Sequence, residues 1–156
     1  MDASLAASLG NLGGAAALAF AAMGSALGTG AAGMSAVGAW KKCYAQNRAA
    51  PFMLVAFVGA PLTQTIYGMI LMGWISAVAA GLAENGSLNF ASLIGAGILG
   101  GIAMGISAWM QGKAAAGAAD ALAETGKGFG NYLIVLGIIE TVALFVMVFI
   151  RGALGA

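Results

Sequence analysis

Glu140 is the side chain in this sequence whose position most strongly indicates chemistry. It lies midway between Asn131 and Ile150, in a stretch that contains no other charged residue. The stretch is long enough and apolar enough to cross a bilayer as a helix. A carboxylate at the centre of such a helix is costly, and an ionisable group there is by default a candidate functional group. We therefore predict a functional site around Glu140.

Three further polar side chains are expected at the same depth. If the second hairpin turns near residue 126, Glu140 follows the turn by 14 residues and Gln111 precedes it by 15. At about 1.5 Å per residue, both lie roughly 21–22 Å from the turn. In the first hairpin, Thr63 and Gln64 follow the turn near Arg48 by 15 and 16 residues. The four polar side chains should therefore meet at one level of the membrane.

Together these groups predict an oxygen cage for a small hard cation. Pro61 cannot donate a backbone hydrogen bond, so it leaves a carbonyl oxygen free in the first hairpin. One carboxylate balances one monovalent charge and leaves the occupied site neutral, whereas Ca²⁺ and Mg²⁺ sites usually carry more carboxylates. The donor set therefore favours Na⁺. A proton, which needs only Glu140 and one acceptor, is the alternative ion.

The elements that must position this site are predicted to be four transmembrane helices. Of the 156 residues, 62% are hydrophobic and 7% are charged, whereas soluble domains carry about 25% charged residues. The apolar runs predict helices at about residues 8–40, 52–82, 90–122 and 129–152. The runs lack the alternation of β-barrel strands, and a backbone inside lipid must satisfy its own hydrogen bonds. The predicted fold is an all-α membrane protein.

Composition also excludes several functional classes. The chain has no histidine and a single cysteine, Cys43, which excludes a disulfide framework, a Cys/His zinc site and a histidine-dependent catalytic dyad. A net charge of +1 gives no electrostatic footprint for nucleic acid. The sequence contains no phosphate-binding loop motif. The chain is therefore expected to be neither an enzyme nor a nucleic-acid-binding protein.

The four helices are predicted to form two duplicated hairpins, residues 1–83 and 84–156. When Gly24 is aligned with Gly101, Phe52 falls on Phe129, and each half shows a long helix, a basic loop and a second long helix. Similarity between segments of one chain is the signature of a repeat. The first and third helices are rich in glycine: Gly24, Gly28, Gly30, Gly33, Gly38, Gly95, Gly97, Gly100, Gly101 and Gly105. Because small residues let membrane helices approach closely, we expect a ring of many copies with these slim helices inside and the bulkier second and fourth helices outside.

The basic residues predict the orientation of the hairpins. Five of the six lie between the helices of a hairpin: Lys41, Lys42, Arg48, Lys113 and Lys127. The opposite side holds only Arg151, together with the acidic Asp2 and Glu84. Since loops rich in Lys and Arg stay in the cytoplasm, both hairpin loops should be cytoplasmic and both termini outside.

The second predicted helix contains a motif that resembles a known family. It reads Pro61-Leu62-Thr63-Gln64-Thr65-Ile66-Tyr67-Gly68, which is similar to the P-x-T-Q-x-x-Y-G pattern of sodium-translocating bacterial rotor-ring proteolipids of V-type ATPases. The duplicated, glycine-rich pattern with one carboxylate in the fourth helix resembles that family over essentially the whole chain. One departure is Gly137-Ile138-Ile139-Glu140, where many relatives place a proline before the carboxylate.

This resemblance implies a set of Na⁺ ligands. The side-chain ligands would be Thr63, Gln64, Gln111 and Glu140. Tyr67 would donate a hydrogen bond that steadies Glu140, and the residue before the proline, here Ala60, would supply a backbone carbonyl. The ion would be translocated as the ring turns, with H⁺ as the alternative.

The resemblance also implies partners and a location. These partners would be identical subunits in a ring, a stator membrane subunit, central-stalk subunits and the lipid bilayer of the plasma membrane, while ATP hydrolysis or synthesis would take place on other subunits. A rival interpretation is an independent four-helix exporter that uses a membrane glutamate. Such an exporter needs an aromatic-lined cavity, which 8% aromatic residues and closely packed inner helices disfavour. A purely structural proteolipid or pore would explain the glycines but not Glu140.

Overall fold

The computed structural model describes residues 3–84 and 90–155, and all regular structure in these ranges is helical. The helices are α1 (Ala3–Ala45), α2 (Leu54–Gly59), α3 (Thr63–Glu84), α4 (Phe90–Thr125) and α5 (Phe129–Leu154). A single 3₁₀ turn, Ala60–Leu62, connects α2 directly to α3, with no loop residues between them. The predicted all-α fold is confirmed.

Four segments of the described chain are long enough and apolar enough to cross a membrane. They are Ser4–Ala45, Leu54–Gly81, Phe90–Thr125 and Phe129–Leu154, and they agree with the four predicted runs to within a few residues. The first and third, with 42 and 36 residues, exceed the roughly 20 residues that a bilayer requires by the widest margin, so we expect these helices to project beyond the hydrocarbon. The boundary predicted between residues 83 and 84 adjoins residues 85–89, which lie outside the described residues, and the division into two repeats stays a prediction.

Glycines bring the backbones of α1 and α4 into direct contact. The facing pairs are Gly13–Gly97, Gly24–Gly105 and Gly28–Gly112, and a Cβ atom on Gly24, Gly97 or Gly112 would overlap the backbone of the other helix. Because the residue numbers rise together along both helices, α1 and α4 run parallel. This close approach is the packing that small residues permit in lipid.

Five of the glycines singled out in the sequence do not serve this contact. Gly33 faces Val58 of α2, and Gly100 faces side chains of α5 and α3. A Cβ atom on Gly30, Gly38 or Gly95 would meet no atom within 4 Å among the described residues. The reason is the helical period: only glycines spaced by whole turns share the face that meets the other helix. Glycine content therefore indicated the right pair of helices but not every contact position.

The remaining helices form a second layer beside α1 and α4. α3 lies against α1, where Gly68 admits the side chain of Ala21, and α5 lies mainly against α4 and α3. The outer face of α5 presents bulky apolar side chains, including the exposed Ile134, Ile138 and Phe149. Within one chain, slim helices thus form one layer and bulky helices the other.

The segments that connect the helices of each hairpin lie at the same end of the bundle. Lys42, near the end of α1, forms an ion pair with Glu124, near the end of α4. The Arg48 guanidinium donates a hydrogen bond from Nη1 to the Ala123 carbonyl at 3.2 Å. These contacts fix residues 46–53 and 126–128 side by side.

Lys113 corrects one detail of the sequence interpretation, because it does not belong to a connecting loop. It lies well inside α4, which continues to Thr125 through an alanine-rich stretch that favours helix. Its Nζ atom lies 4.2 Å from the centroid of the Trp109 ring. Lys41 and Lys42, also predicted to lie between the helices, belong to the end of α1, whereas Arg48 and Lys127 lie in the connecting segments. These four are the basic residues at the connecting end.

Candidate ion-binding site

Pro61 creates a local irregularity on the first side of the site. It occupies the first turn of the 3₁₀ segment, where the missing N–H group of proline is tolerated. The Ala60 carbonyl then accepts a hydrogen bond from the Thr63 amide, and the Thr63 hydroxyl lies 3.0 Å from the same oxygen. The hydroxyl also lies 3.1 Å from Oε1 of Gln64. Three oxygens of different chemical types therefore meet where α3 begins.

Two fully buried carboxamides continue the site from α3 into α4. Gln64 and Gln111 each have 0% of their surface exposed. Nε2 of Gln64 donates a hydrogen bond to Oε1 of Gln111 at 2.8 Å. Because a buried carboxamide is costly unless its polar atoms are bonded, this pair marks a specific arrangement rather than general interhelical packing.

The carboxylate of Glu140 is held by donors from two helices. Tyr67 of α3 donates its hydroxyl hydrogen to Oε1 at 2.7 Å. Gln111 of α4 donates from Nε2 to Oε2 at 3.3 Å, and the same nitrogen donates to the Leu136 carbonyl at 3.0 Å. Glu140 itself is only partly buried, because α5 borders the outer surface of the chain. Its carboxylate faces inward, toward these two donors.

The structure brings every residue of the predicted site into one hydrogen-bonded network. The network connects Ala60, Thr63, Gln64, Gln111, Glu140 and Tyr67. The four side chains expected at one depth, those of Thr63, Gln64, Gln111 and Glu140, therefore lie together in the structure.

The donor set fits a small monovalent cation. It offers a backbone carbonyl, a hydroxyl, two carboxamide oxygens and one carboxylate, which are hard oxygen ligands. Among residues 3–84 and 90–155, no cluster of three or more His, Cys, Asp or Glu side chains is present. One carboxylate supplies one negative charge, which a monovalent cation neutralises.

Sequence reasoning missed one member of this network, Ser107. Its hydroxyl donates to the Ile139 carbonyl at 2.9 Å and lies 3.5 Å from Nε2 of Gln64. The signal that could have identified it is spacing, because Ser107 precedes Gln111 by four residues and so shares its helix face. A serine in an apolar helix attracts less attention than a glutamine.

The second hairpin carries the similarity to known proteins. Residues 94–150 match the family model for the C subunit of ATP synthase. This is a family of rotor proteolipids. The matched residues extend through α4 and α5 and include Ser107, Gln111 and Glu140. A search of curated proteins finds no match.

The family match supports a rotor-ring proteolipid that takes part in ion translocation. Members of the family are non-catalytic subunits of ATP synthase-type complexes, and the prediction that this chain is not an enzyme is confirmed. They assemble as rings and work with other subunits of the complex. Together with the four apolar helices, the match supports a multi-pass membrane protein.

Proposed function

We propose that this chain is the rotor-ring subunit of a sodium-translocating V-type ATPase and that each subunit carries one Na⁺ at Glu140. The ligands are Thr63, Gln64, Gln111, Glu140 and the Ala60 carbonyl, and Tyr67 steadies the carboxylate. ATP hydrolysis or synthesis takes place on other subunits. The V-type assignment rests on a resemblance. A two-hairpin chain with a single membrane-buried carboxylate resembles the rotor-ring proteolipids of V-type ATPases.

The observation that carries this proposal is the unbroken network that joins the Ala60 carbonyl to the Glu140 carboxylate. A proton carrier needs the carboxylate and one acceptor. The network adds two completely buried carboxamides and a hydroxyl at the same depth, and these groups supply oxygens that a desolvated Na⁺ requires in place of water. The extra oxygens favour Na⁺ over H⁺.

Charge explains how such a site couples ion movement to rotation. When Na⁺ is bound, the site is neutral, and Glu140 can pass along lipid beside the exposed Ile138 and Val142. When the ion leaves, the bare carboxylate is costly in hydrocarbon. Release is therefore confined to a stator membrane subunit, which provides two half-channels and an arginine that pairs with the emptied Glu140 and prevents leakage.

The proposed location is the plasma membrane, with both hairpin loops in the cytoplasm. The ion pair of Lys42 with Glu124 and the contact of Arg48 with the Ala123 carbonyl hold both loops at one end. This end carries most of the basic residues, and the positive-inside rule favours its cytoplasmic location. Central-stalk subunits would contact the ring there.

Labelling with a hydrophobic carbodiimide tests the proposed function. The reagent attacks a protonated carboxyl group that is accessible from lipid, and peptide mapping identifies the labelled residue. We expect labelling at Glu140, none in a Glu140→Gln control, and protection by Na⁺. Because protonation removes the ligand charge, the Na⁺ concentration needed for half protection should rise as the pH falls.

Each result favours a different interpretation. Labelling of Glu140 that responds to pH but ignores Na⁺ at every pH would leave a rotor subunit that carries protons. Sodium protection with the same midpoint at low and high pH would contradict the cage, because H⁺ and Na⁺ would not compete for one carboxylate. Isolation of dimers instead of rings after mild detergent extraction would favour an exporter.

A further inference from the structure

Ser107 lies where three helices meet. It belongs to α4, only 5% of its surface is exposed, and its hydroxyl donates a hydrogen bond to the Ile139 carbonyl of α5 at 2.9 Å. On its other side, the hydroxyl lies 3.5 Å from Nε2 of Gln64 in α3. One hydroxyl can donate one hydrogen bond and accept others, so Ser107 can serve both neighbours at once.

Ser107 and Gln111 hold the backbone of α5 at two points beside Glu140. Gln111 donates to the Leu136 carbonyl, and Ser107 donates to the carbonyl of Ile139, the residue directly before Glu140. Ser107 and Gln111 are four residues apart on one helix face, and their acceptors are three apart on the facing side of α5. Two bonds separated by a turn fix the rotation of α5 about its axis, which one bond would not.

The second contact of Ser107 concerns the orientation of the Gln64 carboxamide. Nε2 of Gln64 donates to Oε1 of Gln111 at 2.8 Å, and its other hydrogen is available to the Ser107 oxygen. With the nitrogen occupied on this side, Oε1 of Gln64 faces the Thr63 hydroxyl at 3.1 Å. An oxygen acceptor at residue 107 therefore favours the orientation that presents the Gln64 oxygen to the proposed cage.

We propose that Ser107 is a positioning residue of the sodium site. It orients the Gln64 carboxamide and, through its hydrogen bond to the Ile139 carbonyl, fixes the position of Glu140. This inference rests on the proposed sodium function. Ser107 does not touch the ion in this proposal; it makes the ligand oxygens converge. Its removal should therefore weaken Na⁺ binding and leave proton binding to Glu140 nearly unchanged, because a proton needs no convergent ligands.

The test compares carbodiimide labelling of purified wild-type and variant rings. Ser107→Ala should raise the Na⁺ concentration for half protection of Glu140 about three- to tenfold, the loss expected for one net hydrogen bond. Its labelling profile against pH in the absence of Na⁺ should match the wild type. Ser107→Thr, which keeps the hydroxyl, should restore protection, and Ser107→Cys, with a weaker donor, should fall between. If Ser107→Ala yields no rings, Ser107→Cys takes its place in this comparison with the wild type.

Ser35→Ala is the matched control. The Ser35 hydroxyl donates to the Ala116 carbonyl of α4 at 2.7 Å, so this variant loses a similar interhelical bond away from Gln64 and Glu140. If the Na⁺ concentration for half protection rises as much in Ser35→Ala as in Ser107→Ala, the positioning role is overturned. An unchanged concentration in Ser107→Ala would overturn it as well. If Na⁺ fails to protect the wild type itself, the sodium proposal fails first and the role of Ser107 fails with it.

Discussion

At the scale of single residues, the hydroxyl of Tyr67 makes the shortest contact to the Glu140 carboxylate. It donates to Oε1 at 2.7 Å, whereas Gln111 donates to Oε2 at 3.3 Å. Hydrogen bonds to a charged acceptor are stronger than those between neutral groups. Since Tyr67 belongs to α3 and Glu140 to α5, this bond also fixes where the carboxylate lies between the two hairpins.

Replacing Tyr67 with phenylalanine tests that bond. Tyr67→Phe should raise the Na⁺ concentration for half protection of Glu140 about tenfold, the lower range for a hydrogen bond to a charged group. The control is Tyr132→Phe, because the Tyr132 ring packs against Phe57 outside the network. Equal midpoints for Tyr67→Phe and the wild type in carbodiimide labelling would show that the hydroxyl does not support the bound state.

A second residue-scale prediction concerns Gln111, which bonds to Gln64, Glu140 and the Leu136 carbonyl. Gln111→Ala should weaken Na⁺ protection of Glu140 more than it disturbs ring assembly, because the glycine contacts of α4 with α1 do not involve its side chain. Labelling and gel analysis of rings from one preparation measure both effects. Unchanged Na⁺ affinity would assign Gln111 a structural role.

At the scale of elements, the contact of α1 with α4 depends on the absence of side chains at specific positions. Gly24 faces the backbone of Gly105, whereas Gly30, six residues later, faces open space among the described residues. Both are glycines in the same apolar helix. Their surroundings therefore predict opposite responses to the same added methyl group.

Gly24→Ala and Gly30→Ala form a matched pair for this prediction. The first should destabilise the bundle by about 1–3 kcal/mol, as expected when a packed contact is overfilled. The second should leave stability unchanged or raise it by up to about 1 kcal/mol, because alanine favours helix over glycine. Thermal denaturation of single chains, after the ring is dissociated in one detergent, measures the difference. A lower midpoint for Gly30→Ala than for Gly24→Ala would contradict the α1–α4 contact.

The elements also show how far the sequence alone could lead. Hydropathy located the four spans, and counting from the two turns matched the depth of Gln111, Glu140, Thr63 and Gln64, because helices have a constant rise. Depth does not determine which side of a helix faces a neighbour. The contact of Ser107 with the Ile139 carbonyl and the open side of Gly30 depend on helix rotation, which four uniformly apolar segments do not encode strongly.

At the scale of the whole molecule, the two ends of the bundle differ in charge and in contacts. The connecting end joins both hairpins through Lys42 with Glu124 and through Arg48 with the Ala123 carbonyl. At the opposite end, Arg151 lies 4.8 Å from the centroid of the Trp74 ring, an arrangement suited to the membrane interface, where aromatic and basic side chains collect. The two ends of the bundle therefore differ chemically, and the positive-inside rule predicts which end faces the cytoplasm.

Cysteine accessibility tests this predicted orientation in the membrane. The native Cys43 is 1% exposed, and Cys43→Ala removes any background. In that chain, Lys127→Cys should react with a membrane-impermeant maleimide only in inverted vesicles, because the positive-inside rule predicts that the basic connecting end faces the cytoplasm. Gly152→Cys, at the other end, where an added Cβ meets no described atom within 4 Å, should react in intact cells. The reverse pattern would place the loops outside, and the central stalk would then need another surface on the ring.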